Sequence, residues 1–187
     1  MTSQIYRRRL PHIYVDGAAY FLTFRLAPSQ DSPLKPEERQ LVVEHIGRMQ
    51  PGRALAFVVM PDHVHVLYQS APNQDLTKTL QALKGASAHT LAHTGNRRAP
   101  IWQVETFDRV IRNEDDLLET WRYIEANPVR RALAESAEEF RWSSAWAEQQ
   151  RGRVLHAGEG ARAPCRGARG KAKSSLGGWL PSAALLR

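Results

Sequence analysis

The chain has 187 residues, enough for one domain with a sizeable core. Its formal charge is +7, but residues 151–187 hold eight Lys/Arg against one acid, Glu159, so the first 150 residues carry eighteen of each sign. A neutral body, residues 1–150, with a basic tail, residues 151–187, points to a polyanionic partner or to a solubilising disordered end. The single cysteine, Cys165, excludes an internal disulfide framework and fits a reducing cytoplasm. The sequence has no apolar run of about 18 residues to span a membrane, and its polar, basic start lacks a signal core.

Arg7-Arg8-Arg9 opens the ordered part. Residues 18–26 (AAYFLTFRL) are aromatic and partly alternating, which predicts a strand. After a proline-bounded loop, Leu41, Val42, His45, Ile46 and Met49 recur at helical spacing within 37–49. Pro51-Gly52 ends that helix, and 53–60 (RALAFVVM) is a second strand. Pro61-Asp62 turns the chain into a third strand at 63–69. Residues 76–93 form a second helix with Leu76, Leu80, Leu83 and Ser87 on one stripe, and 101–111 holds a fourth strand. Asn113 reads as an N-cap, with Glu114, Asp115 and Asp116 at the positive end of a third helix. Pro128 is expected to stop that helix near Asn127. A shorter helix and the segment Phe140-Arg141-Trp142-Ser143-Ser144 follow, and composition suggests disorder beyond about Arg151.

The order β-α-β-β-α-β predicts an α+β, ferredoxin-like split βαβ plait. In it an antiparallel sheet carries helices on one face and leaves the other free for a ligand. Fold alone does not set function.

The chemistry concentrates in Met60-Pro61-Asp62-His63-Val64-His65-Val66-Leu67. Strand side chains alternate, so His63 and His65 share a face as half of a metal site. Tyr123 and Asn127 lie four apart and share a helix face. A tyrosine hydroxyl beside a metal is a candidate nucleophile, and an amide oxygen could complete a His, His, Asn set with open positions. That set suits a hard divalent ion, Mg²⁺ or Mn²⁺, acting on phosphate. His89 and His93, also four apart, could in principle bind a metal; a solvated helix end is the preferred reading.

His63-Val64-His65 behind Met60-Pro61-Asp62, followed 60 residues later by Tyr123-Ile124-Glu125-Ala126-Asn127-Pro128-Val129-Arg130, resembles the HUH single-tyrosine transposases. The resemblance is closest to the bacterial REP-associated branch of these IS200-like enzymes. Leu83-Lys84-Gly85, Trp102-Gln103, Phe107-Asp108-Arg109-Val110-Ile111-Arg112 and Trp142-Ser143-Ser144 extend it over residues 7–146. It implies DNA transposition by metal-dependent cleavage and rejoining of single-stranded DNA through a 5′-phosphotyrosine. Tyr123 would be the nucleophile, and His63, His65 and Asn127 the metal ligands. It further implies recognition of imperfect-palindrome hairpins, with Arg7, Arg8, Arg9, Lys84, Arg130 and Arg131 as contacts to DNA. The implied setting is the bacterial cytoplasm, at the nucleoid. The hairpin-associated branch tends to act as a monomer, while some relatives exchange the tyrosine helix in a dimer.

Two other readings stand beside this one. One is a domesticated, non-catalytic protein that binds hairpin DNA on the same plait. The other is an RNA-binding plait, which would display aromatics on adjacent strands; the sequence shows no such pair.

Overall fold

The computed structural model describes residues 17–159, with side chains described to residue 151. Arg7, Arg8 and Arg9 and the tail beyond Glu159 lie outside the described residues. The elements run β1 (Ala19–Arg25), α1 (Pro36–Gly47), β2 (Arg53–Val59), β3 (His63–Gln69), α2 (Leu76–Thr94), β4 (Phe107–Val110), α3 (Glu114–Arg130), a 3-10 turn (Ala137–Glu139) and α4 (Ser144–Glu159). Every neighbouring strand pair is antiparallel in the order β2-β3-β1-β4, the predicted split βαβ arrangement. α4 passes through residue 151, where composition suggested a tail, and continues to Glu159.

Alternation along the strands sorts two cores. Tyr20, Leu22 and Phe24 of β1 and Val64, Val66 and Tyr68 of β3 face α1 and α2, meeting Val42, Ile46, Leu80, Leu83 and Leu91. Ala19 of β1 and Leu67 of β3 face the other way, toward Ile124 of α3 and Phe140. Both faces of the sheet are therefore covered, against the expectation of one open face. The third helix has an apolar stripe of its own, Leu117, Trp121 and Ile124, which needs burial and packs with Leu55, Val58 and Leu67 of the sheet and with Phe140.

β2 carries a bulge: Ala54 pairs with Tyr68 and Ala56 with Leu67, leaving Leu55 as an extra residue. Leu55 and Ala56 accordingly join the same core, and the phase is reset so that Val58 pairs with His65. The outer edge of β2 is closed by the segment at residues 142–144. The Val59 N–H donates to the Trp142 carbonyl at 2.9 Å and the Phe57 N–H to Ser144 Oγ at 3.1 Å.

Pro128 does not end α3. The helix continues to Arg130 with the proline in its last turn, where the Arg131 N–H still reaches the Asn127 carbonyl at 3.2 Å. A proline so late forfeits one intrahelical bond and has little helix left to distort. Asn127 is consequently helical and buried. Asn113 is the N-cap, accepting the Asp116 N–H at 2.9 Å.

One buried ion pair ties the loop after β1 to the body. The Arg97 guanidinium holds both carboxylate oxygens of Glu38, at 2.7 and 2.8 Å, and donates to the carbonyls of Ser32 and Pro33. Burial pushes the Glu38 carboxyl up, but the bonds from Arg97 and the Lys35 N–H outweigh this and hold it below the ordinary value. Glu38→Ala, which strands the buried guanidinium, should destabilise the fold by about 3–5 kcal/mol in urea unfolding. Because the folded carboxyl is depressed, its contribution is complete above the unfolded pKa and declines as pH falls through the folded value. Glu38→Gln should therefore flatten the acid limb of the stability curve.

Candidate active site

β1 and β3 build the floor of the site together. Their register pairs Thr23 with His65 and Arg25 with His63, all on the α3 face of the sheet. The two imidazoles are neighbours, ring centres 4.7 Å apart, and both are buried. His63 Nδ1 lies 2.7 Å from Asp62 Oδ1. A carboxylate only accepts, so this nitrogen carries the proton and Nε2 keeps the lone pair. His65 Nδ1 lies 2.7 Å from Thr23 Oγ1, and a proton on that nitrogen gives His65 the same tautomer. With Nδ1 protonated, each ring is oriented by a partner behind it and leaves Nε2 as the atom that could ligate a metal.

Burial is the largest influence on both rings. It lowers His65 to about 3, with the neighbouring His63, Arg25 and Arg131 acting in the same sense. His63 is also lowered by burial, although the bond to Asp62 pulls the other way. The pair is thus neutral near pH 7, the form in which imidazole ligates a metal. Asp62 is held below the usual carboxylate range: burial raises it, but His63 and the Arg131 charge prevail.

α3 brings the helix residues over this floor. The Tyr123 ring sits 5.5 Å from His65 and 5.9 Å from Phe21, while remaining 38% exposed. The Arg130 guanidinium lies over the Tyr123 ring at 5.4 Å. At the far end Arg131 reaches Asp62 Oδ2 at 3.8 Å. Asn127 falls one turn after Tyr123 and one turn before Arg131 on the same face, and so between the contact to His65 and the contact to the partner of His63. The start of the helix is pinned by Arg109 on β4, whose Nη1 donates to both Asp116 carboxylate oxygens at 2.6 and 2.7 Å and whose Nη2 donates to Thr120 Oγ1 at 2.9 Å.

Among the described residues no group of three His, Cys, Asp or Glu is placed to hold a metal. The Asn127 amide, on the same face of α3 as Tyr123, is the candidate third donor. Two neutral imidazoles and one amide oxygen are compatible with a divalent ion that keeps open positions.

His63, His65, Tyr123, Arg130 and Arg131 are brought together, and Asn127 lies on the same helix face between Tyr123 and Arg131. Lys84 is elsewhere: its ammonium bonds the carbonyls of Gln103 and Val104 and the Thr106 hydroxyl, holding the loop before β4. His89 and His93 are exposed and stacked at 4.1 Å, with His93 Nδ1 bonding the His89 carbonyl. Sequence reasoning missed Thr23, Arg25 and Phe21, whose roles depend on cross-strand register. It also left Asp62 without a role, although that residue directly precedes His63. The structure supplies an aromatic pair on adjacent strands as well, Phe21 of β1 and Phe107 of β4 at 6.2 Å. Phe21 is already engaged by His65 and Tyr123, so the pair is not an open two-base platform.

Residues 35–127, from the cap of α1 to Asn127, match the family model described as "Transposase IS200 like". The chain belongs to the IS200-like transposase family. It is 26% identical over 143 residues to a Haemophilus influenzae protein assigned as a REP-associated tyrosine transposase, covering 70% of this chain and 81% of that protein. It is 24% identical over 142 residues to the REP-associated tyrosine transposase of Escherichia coli, covering 74% and 83%. A solved structure of a REP-associated tyrosine transposase bound to a REP hairpin shares the fold. Its TM-score is 0.64 at 22% identity, covering 94% of this chain and 100% of that one. Among the described residues of this IS200-like chain no helix is long and apolar enough to cross a membrane.

The depressed imidazoles make a direct prediction. The unfolded chain takes up protons near pH 6.5 that folded His65 refuses until about 3, so stability falls as pH drops through that window. In the NMR spectrum of the metal-free protein, the His65 ring signals should stay at their neutral positions from pH 8 to 5. Titration of His65 near 6.5 would contradict the buried, Thr23-bonded ring.

Proposed function

We propose that this chain is a single-strand DNA transesterase acting beside hairpins, with Tyr123 as nucleophile. The observation that carries this reading is the half-exposed Tyr123 ring held 5.5 Å from His65, next to a histidine pair whose Nδ1 atoms are engaged from behind. In the reaction the phenolic oxygen attacks a phosphodiester phosphorus. A bond forms between that oxygen and phosphorus, the bond from phosphorus to the 3′-oxygen breaks, and the phenolic proton goes to solvent while the 3′-oxygen takes one up. The product is a 5′-phosphotyrosine with a free 3′-hydroxyl. The ester keeps the energy of the broken bond, so a second 3′-hydroxyl can reverse the step or complete a strand transfer without ATP.

His63, His65 and Asn127 are the residues to hold Mg²⁺ or Mn²⁺. When bound there, the ion would polarise the scissile phosphate and offset charge developing on it. Asp62 and Thr23 keep the imidazoles aimed and in one tautomer. Arg130, stacked over Tyr123, keeps positive charge near the phenolic oxygen and the incoming phosphate. Arg131 shares Asp62 with His63 and brings a second charge to the same end of α3. DNA is the natural partner of such a site, and the hairpin bound by the REP-associated relative is the first substrate to try. It would place the protein with the nucleoid.

A non-catalytic, domesticated hairpin binder remains the second reading, favoured by no single observation at this site. With a labelled hairpin oligonucleotide carrying single-stranded flanks, the wild-type chain should form a denaturant-resistant protein–DNA adduct in Mg²⁺ or Mn²⁺. Tyr123→Phe should form none, and EDTA should abolish the adduct while sparing binding. An adduct that persists in Tyr123→Phe assigns the nucleophile elsewhere; binding without cleavage in any metal supports the second reading. Asp62→Ala, which frees the His63 ring, should weaken Mn²⁺ affinity by roughly 10–100-fold.

A further inference from the structure

Arg25 has so far served only as a positive charge beside the histidine pair, yet it occupies a position of consequence. It ends β1 directly opposite His63 in the ladder, two residues beyond Thr23 and so on the same face as the imidazole pair. Its side chain is exposed. It also lines an open cleft of about 340 Å³, together with Leu26, Gln30, Asp31, Asp62 and Gln103 among others. That volume is at the small end of the range for ligand clefts. The cleft adjoins the histidine pair through one residue, Asp62, which lines it and bonds His63 Nδ1.

The walls of this cleft are held in place from outside. Gln30 Nε2 donates to the carbonyls of Arg98 and Pro100, at 2.7 and 2.9 Å, and Gln103 Nε2 donates to the Leu26 carbonyl at 3.0 Å. Arg97 anchors the backbone at Ser32 and Pro33. A preformed cleft loses little entropy on accepting a ligand. The two carboxylates among its lining, Asp31 and Asp62, oppose an anion there, whereas the exposed Arg25 guanidinium suits one.

We propose that the Arg25 side of the histidine pair is a nucleotide subsite: Arg25 takes a backbone phosphate and the cleft takes the base of the adjoining nucleotide. Asp31 supplies an acceptor to that base, so bases with an exocyclic amine are preferred over thymine. This rests on the reading that the chain handles single-stranded DNA, and it adds where the strand lies and which side chain reads it.

Equilibrium binding tests the subsite without relying on turnover. The probe is a labelled hairpin oligonucleotide with single-stranded flanks, in which flank linkages are replaced one at a time by neutral methylphosphonates. In the wild-type chain one replacement should weaken binding about tenfold, as expected for loss of a charge-assisted bond. The same replacement should leave Arg25→Ala unaffected, and Arg25→Ala should lower the slope of log affinity against log salt by about 0.7. Next to that linkage, an amine-bearing base should bind about fivefold better than thymine, a preference lost in Asp31→Ala. If every replacement weakens wild type and Arg25→Ala alike, or the base preference survives Asp31→Ala, the subsite is overturned. Failure to bind any of the oligonucleotides overturns it too. A linkage-specific effect in a chain that forms no Tyr123 adduct would keep the subsite and remove the transesterase reading.

Discussion

The ladder between β1 and β3 is the constraint on which the rest of the molecule depends. Seven residue pairs hold it, and both strands are packed on both faces. A slip of one residue would send the imidazoles into the core under α1 and α2 and bring Val64 and Val66 out to α3. The two cores make that slip prohibitive, since each face already has its own apolar partners. The same register supplies β1's side of the site: Thr23 behind His65, Phe21 stacked beside it, and Arg25 across from His63. The site is thus a consequence of sheet pairing rather than of a loop conformation, and it inherits the rigidity of the sheet.

α3 completes the arrangement because it is held at both ends. Arg109 grips its first turns through Asp116 and Thr120, and Arg131 meets Asp62 at its last. Between these anchors lie Tyr123 and Asn127, and Ile124 is packed into the second core. The helix that carries the proposed nucleophile is therefore positioned by polar contacts to β4 and to the turn before β3, with its apolar stripe setting its depth. The Tyr123 ring contacts His65 and Phe21 yet keeps part of its surface in solvent, the side from which the proposed DNA strand would arrive.

Much of this was legible in the chain. The element order, the strand period that puts His63 and His65 on one face, the Asn113 cap and the four-residue spacing of Tyr123 and Asn127 are all local features, and local rules read them. What escaped was long-range or competitive. Thr23 and Arg25 gain their roles from a strand some forty residues away. Pro128 looked like a stop because interior prolines usually are, but a proline in the last turn has little helix to break. The free sheet face was closed by α3, whose apolar stripe had to be buried somewhere. The hold of the Lys84 ammonium on the loop before β4 also appears only in the fold.

The grip of Arg97 on the loop after β1 separates two properties that a single-domain enzyme often entangles. The cleft wall at residues 30–33 is steadied by one guanidinium that also holds Glu38 and the carbonyls of Ser32 and Pro33. The imidazole pair is held by the sheet. Substitutions in that loop can reshape what the cleft accepts while the paired strands keep the imidazoles in place. Diversification within such a lineage can proceed at the loop, with Arg97 and Glu38 as the hinge pins that let the wall be rebuilt without disturbing the hearth.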